Sequence, residues 1–216
     1  MYYPANFRDF LNNVTETMER EKDYLCELDR KLGDGDHGVT MSIGWQAIKA
    51  ELAQQEAIET LDCSKLAILA GKTFLEAVGS SVGPLYATGF LRGAKAIKGK
   101  DVLSDADLTA FWLAFMSGVK ERGQAEVGDK TMIDTLEPAR IALEDSFAAS
   151  GNFEEGFRVA VSAAETGMIS TIDLLSKRGR SSRLGDRSLG NQDPGATSAY
   201  LILTNFLVSL PESVLD

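Results

Sequence analysis

Apolar residues recur at helical spacing along most of the chain, and alternating strand patterns are almost absent. Phe7, Phe10, Leu11, Val14 and Met18 fall on one helical face. A second stripe runs from about Thr40 through Trp45, Ile48 and Leu52, and a third covers roughly Ser64 to Val78 with Leu66, Leu69, Ala70 and Phe74. Pro84 suits a first helical turn, where a missing N–H is harmless, and that helix extends to about Ile97. Ser104 is a natural N-cap, with Asp107 at the third position, Leu108, Phe111, Trp112, Phe115 and Val119 as the stripe, and Gly123 as the stop. A helix follows Asp129, with Pro138 kinking it. Another spans about Phe153 to Leu175. The last begins at Asp193-Pro194-Gly195 and is apolar on nearly every side from Ala199 to Leu210, so it is expected to be buried.

About eight helices joined mostly by short loops predict an all-α fold, an up-and-down antiparallel barrel or bundle. The 216 residues are enough for one well-cored domain, 1–216, and short for two. Three connections are unlike ordinary turns: 29–38 (DRKLGDGDHG), 79–84 (GSSVGP) and 179–195 (GRSSRLGDRSLGNQDPG). The third is long for a compact helical domain, the kind of loop that usually carries function or is disordered.

Charge narrows the classes of function. A net charge of −10 argues against nucleic-acid binding through phosphate neutralisation and agrees with acidic sites that need cations. Two cysteines and one histidine leave no disulfide framework, no cysteine-built zinc site and no multi-histidine metal site. The N-terminal MYYPANFRDF has no signal-peptide pattern, and the longest apolar run is too short to span a membrane. A cytoplasmic protein with no membrane partner is the expectation.

The first unusual loop holds Asp29, Asp34 and Asp36 among Gly33, Gly35 and Gly38. Glycine allows tight or left-handed backbone, so three carboxylates can turn toward one point. Converging carboxylates repel unless a cation lies between them, and oxygen-only ligands select magnesium or calcium. The alternative is a solvated turn with capping aspartates, and spacing leaves both open. His37 opens the next helix with Gly38, Val39 and Thr40, where free N–H groups attract phosphate.

Four ordered segments, LDRKLGDGDHG, VGSSVGPLYATGFLRGA, RGQAEVGDKTM and GRSSRLGDRSLGNQDPGATS, span residues 28 to 198. They resemble the nucleotide-binding subunit of dihydroxyacetone kinase. The resemblance implies an eight-helix barrel that carries ADP or ATP and two magnesium ions at one end. It places the metal on Asp29, Asp34 and Asp36. It places the nucleotide on His37, Gly38, Val39, Thr40, Ser81, Val82, Gly123, Met132, Arg180, Asp193, Pro194 and Gly195, with His37 and Arg180 in the catalytic machinery. Asp193 suits an N-cap better than a phosphate ligand, whose charge it would repel. Three positions depart from the family: Val82 replaces a small hydroxyl residue, Asn191 a histidine and Arg183 a tyrosine.

The resemblance further implies phosphoryl transfer to dihydroxyacetone held on a separate substrate-binding subunit. The expected donor is bound ADP recharged by a phosphocarrier protein of the phosphotransferase system. An ATP-dependent kinase of another small ketose, such as a tetrulose, and a nucleotide-binding protein acting on a transcription regulator are the alternatives.

Overall fold

The computed structural model describes residues 1–55 and 61–211. Among them are nine α-helices: α1 (Pro4–Arg20), α2 (Lys22–Leu32), α3 (His37–Gln55), α4 (Cys63–Ala77), α5 (Val82–Ala96), α6 (Asp105–Gly123), α7 (Ile133–Ser150), α8 (Phe153–Ser170) and α9 (Pro194–Val208). Two 3-10 segments, Thr171–Asp173 and Arg180–Ser188, lie between α8 and α9. The β-pairing among the described residues is one isolated bridge, in which Tyr2 and Leu103 exchange backbone hydrogen bonds of 2.9 Å and tie the N-terminus down.

The ninth helix is α2, which the periodicity reading passed over. Only Leu25, Cys26, Leu28 and Leu32 of its eleven residues are buried, and the rest are mostly charged. It continues α1 across Glu21, where the backbone hydrogen bonds Glu21 N to Thr17 O and Leu25 N to Glu21 O persist. The pair therefore acts as one bent element, and eight elements remain in the ring. From α3 to α9 each helix packs on the next, and α9 returns to α1 and α2. Short connections between most sequential neighbours make their packing antiparallel, and the longer 171–193 segment joins α8 to α9.

Local chemistry sets the ends. Ser104 and Asp107 form a reciprocal capping box on α6, and Asp193 accepts a hydrogen bond from Ala196 N at the start of α9. α6 ends at Gly123, as the sequence predicts, although Gln124 rather than the glycine takes the left-handed conformation, at φ 49°. α8 ends at Ser170, short of Leu175, because the chain tightens into the Thr171–Asp173 turn.

The interior is filled by aromatic rings. Trp112 of α6 meets Phe206 of α9 at 4.8 Å between centroids, and Phe10 of α1 and Phe157 of α8 lie 5.1 and 5.2 Å from Phe206. A second group joins Trp45, Phe74, Phe90 and Phe115 from α3 to α6. Burying each ring contributes about 1.5–3 kcal/mol, and edge-to-face contacts add to it. α9 gives its inner face to this core, with Ala199, Ile202, Leu203 and Phe206 at 1% exposure or less, while Val208 at its end is open to solvent. No helix among the described residues is long and apolar enough to cross a membrane.

Candidate nucleotide and metal site

One end of the ring opens into a cavity of about 860 Å³. The N-terminal ends of α3, α5, α7 and α9 reach it through His37, Val82, Ile133 and Pro194, and the C-terminal ends of α2 and α6 through Leu32 and Gly123. Four helix N-termini at one cavity bring the positive ends of their dipoles together, and they favour an anion.

The acidic loop sits on the rim. One carboxylate oxygen from each of Asp29, Asp34 and Asp36 falls within 4.8 Å of the others. Carboxylates this close repel one another, and a cation between them relieves the repulsion. Asp29 belongs to the last turn of α2 rather than to the loop. Its Oδ2 accepts from Asp36 N at 2.9 Å and His37 N at 3.1 Å, which pins the start of α3 to the end of α2. Gly35 makes the turn between them at φ 80°, a conformation that favours glycine. Asp34 and Asp36 are exposed, and Asp34 is ion-paired with Arg180. The donor set is all oxygen, solvent-exposed at Asp34 and Asp36 and facing the cavity, which fits a magnesium ion that completes its shell with phosphate oxygens and water.

His37 is buried, and burial pushes its imidazole down to about 4, so the ring is neutral at physiological pH. Its Nε2 lies 2.9 Å from Ser198 Oγ, and Ser198 already donates to Gly195 O at 3.1 Å. The hydroxyl therefore accepts from Nε2–H, and the ring braces α3 against α9. Gly38 and Val39 do not line the cavity. A Cβ on Gly38 would stand 1.9 Å from Lys22 O, so that glycine lets α3 start against α2, and Val39 faces outward at 45% exposure.

The remaining predicted residues Thr40, Ser81, Val82, Gly123, Met132, Arg180, Asp193, Pro194 and Gly195 all line the cavity. Gly123, Met132, Val82 and Ile133 form an apolar wall with Leu85 and Val119, suited to a flat base. Asn191 and Arg183 are not among the lining residues.

Several lining residues were not singled out from sequence: Ser80, Arg122, Lys130, Thr131 and Arg178. Lys130 and Thr131 lie inside RGQAEVGDKTM, but nothing in that segment signals that a lysine is buried. Ser80 Oγ is buried without a hydrogen-bond partner beside Val82, the position where a hydroxyl is expected.

Residues 31–208 match the model of the DAK2 domain. The chain belongs to the DAK2 domain family. Among DAK2 relatives, the "PEP-dependent dihydroxyacetone kinase 2, ADP-binding subunit DhaL" of Listeria innocua is 34% identical over 210 residues, covering 97% of this chain and 96% of that one. The "PEP-dependent dihydroxyacetone kinase, ADP-binding subunit DhaL" of Escherichia coli K12 is 35% identical, covering 94% and 96%. The crystal structure of the dihydroxyacetone kinase from C. freundii in complex with AMP-PNP and Mg2+ superposes with a TM-score of 0.72 at 25% identity. The match covers 97% of this DAK2 chain and 35% of that larger one.

Asp193 carries a pH prediction. Burial first and the Asp134 charge second push its carboxyl up to about 7, against hydrogen bonds from Ala196 N and Gly195 N and the charge of Lys130. A folded pKa above the unfolded value near 3.9 means that the native state holds the proton more tightly. That contribution is complete below the unfolded value and is lost as pH rises through about 7. Asn caps a helix as well as Asp. Denaturant melts between pH 4 and 8 are therefore expected to show the wild type losing stability relative to Asp193→Asn as pH rises. A constant difference across the series contradicts this account of the buried carboxyl.

Proposed function

We propose that this chain is the nucleotide-bearing subunit of a dihydroxyacetone kinase. It would hold ADP or ATP with two magnesium ions on Asp29, Asp34 and Asp36, and pass a phosphoryl group to dihydroxyacetone carried by a separate subunit. The observation that carries the reading is the meeting, in one cavity, of four helix N-termini, an apolar base pocket and a three-carboxylate cluster. The printed names of relatives that match nearly end to end support the same reading, as does the AMP-PNP and Mg2+ complex of the C. freundii protein.

The roles follow from the geometry. Leu85, Val119 and Met132 enclose the base, and α3, α5 and α9 turn the positive ends of their dipoles toward the phosphates. Magnesium, when bound, neutralises phosphate charge and orients the transferred group. Arg180, 65% exposed and paired with Asp34, is placed to turn its fork onto phosphate oxygens once a cation takes over the carboxylate. His37, neutral and engaged with Ser198, holds the phosphate-facing end of α3 in place rather than exchanging protons. Asp193 caps α9 from inside the cavity.

The donor is proposed to be ADP retained as a cofactor and recharged by a phosphocarrier protein. The relatives named PEP-dependent match over their full length as separate subunits. The test is to denature the purified chain, identify any released nucleotide, and then compare ATP with a phosphorylated carrier in the presence of the substrate-binding subunit. Retained ADP that only the carrier recharges is the expected result, and free exchange with ATP overturns it.

A further inference from the structure

Residues 174–188 form a strap that leaves the helical ring and returns to it, and Arg180 rides on it. Its 3-10 turn supplies little stability of its own, and most of its side chains are exposed. What holds it lies across the cavity, in the dipeptide Asp129-Lys130. Lys130 is 1% exposed and sits at φ 63°, a conformation unfavourable to a long side chain. The turn that imposes it is braced by the buried Asp134, whose oxygens accept from Gly128 N at 2.6 Å and Thr131 N at 2.7 Å. From that position Lys130 Nζ donates to Leu174 O at 3.1 Å and to Ser188 O at 2.7 Å. These carbonyls are the two ends of the strap. Asp129 grips the entry side, accepting from Lys177 N at 3.0 Å through its carbonyl and from Arg178 Nε at 3.2 Å through its carboxylate. Ser188 Oγ, fully buried, accepts from Ser176 N at 3.0 Å and closes the base.

A buried ammonium pairs with a charge or saturates its donors with acceptors. Lys130 directs two of its three donors at backbone carbonyls of one loop, an arrangement that fixes where the loop lies. We propose that Lys130 is a positioning residue that cinches the 174–188 strap at its base and thereby presents Arg180 to the acidic cluster and to the phosphates beside it. Asp129 is the second fastener. The proposal rests on the kinase reading for its effect on turnover, but the tether itself does not.

Two measurements on the intact chain separate these. The first is limited trypsin cleavage after Arg180, Arg183 and Arg187. Lys130→Met is expected to speed it about tenfold with the rest of the chain still resistant, since cleavage follows the population of the open segment. Ser188→Ala, which removes only a hydroxyl, gives a smaller increase and carries the test should Lys130→Met fail to fold. The second is a double-mutant cycle on phosphoryl transfer with the substrate-binding subunit present. Lys130→Met is expected to lower kcat about tenfold or more, as misplacement of a phosphate-facing group does. In an Arg180→Ala background the same change is expected to cost less than about twofold, because its effect runs through Arg180. Equal losses in both backgrounds, or strap cleavage unchanged in both Lys130→Met and Ser188→Ala, overturn the proposal. Wild-type protein that transfers no phosphoryl group overturns the reading of the site instead, and strap cleavage alone then decides the tether.

Discussion

Asp34→Ala and Asp36→Ala each lower phosphoryl transfer by about a thousandfold or more in the presence of the substrate-binding subunit, and leave the melting temperature close to wild type. The size follows from the chemistry. Phosphoryl transfer is mostly positioning and charge neutralisation, so losing one of the three carboxylates proposed to hold the cation removes the main electrostatic element. The unchanged stability follows from the structure. Both side chains are exposed, their mutual repulsion vanishes with either substitution, and the Arg180 pair lost with Asp34 is a surface pair that contributes little. Asp29→Ala differs, because its Oδ2 also holds Asp36 N and His37 N. That variant is expected to lose about 1–2 kcal/mol of stability as well as activity. Turnover at the wild-type rate in both Asp34→Ala and Asp36→Ala would mean that the cluster is a solvated turn.

Gly38→Ala is expected to destabilise the fold by about 3 kcal/mol, in the range of overpacking in a closed contact. For a chain this long that lowers the melting temperature by about 6–12 °C. The added methyl meets Lys22 O at 1.9 Å and Cys26 Sγ at 2.9 Å, and a backbone carbonyl inside α2 has nowhere to go. Relief requires α3 to move off α2, which pulls His37 and Asp36 away from Asp29. Magnesium-dependent nucleotide binding is therefore expected to weaken at least about tenfold, although Gly38 does not line the cavity, since ligand geometry tolerates little displacement. Val39→Ala, at the exposed neighbouring position, serves as the control, with both properties near wild type. A Gly38→Ala protein with the wild-type melting temperature contradicts the packing account.

These contrasts show what the sequence could reveal. Long amphipathic stripes and their caps, such as Ser104 with Asp107 or Asp193 before Pro194, are local, and the structure reproduces them. The segments that line the cavity were visible as glycine-rich or acidic interruptions of those stripes. α2 was not visible, because a short, charged helix that buries four residues has little periodic signal. Its omission placed Asp29 on a loop, when a rigid helix end aims it. Gly38 was read as part of a phosphate-facing turn, yet its requirement comes from Lys22, sixteen residues earlier in the chain. The burial of Lys130 depends on carbonyls 44 and 58 residues away, and no local pattern encodes such distances.

The return of α9 to α1 bears on how the protein is made. Synthesis delivers α1 well before α9. Until α9 arrives, Tyr2 and Phe10 lack Phe206, and the cavity lacks Asp193, Pro194 and Gly195. A nascent chain that has completed α8 but not α9 therefore exposes an aromatic stripe and cannot assemble the whole phosphate cradle, so ring closure and readiness for nucleotide come together when α9 emerges.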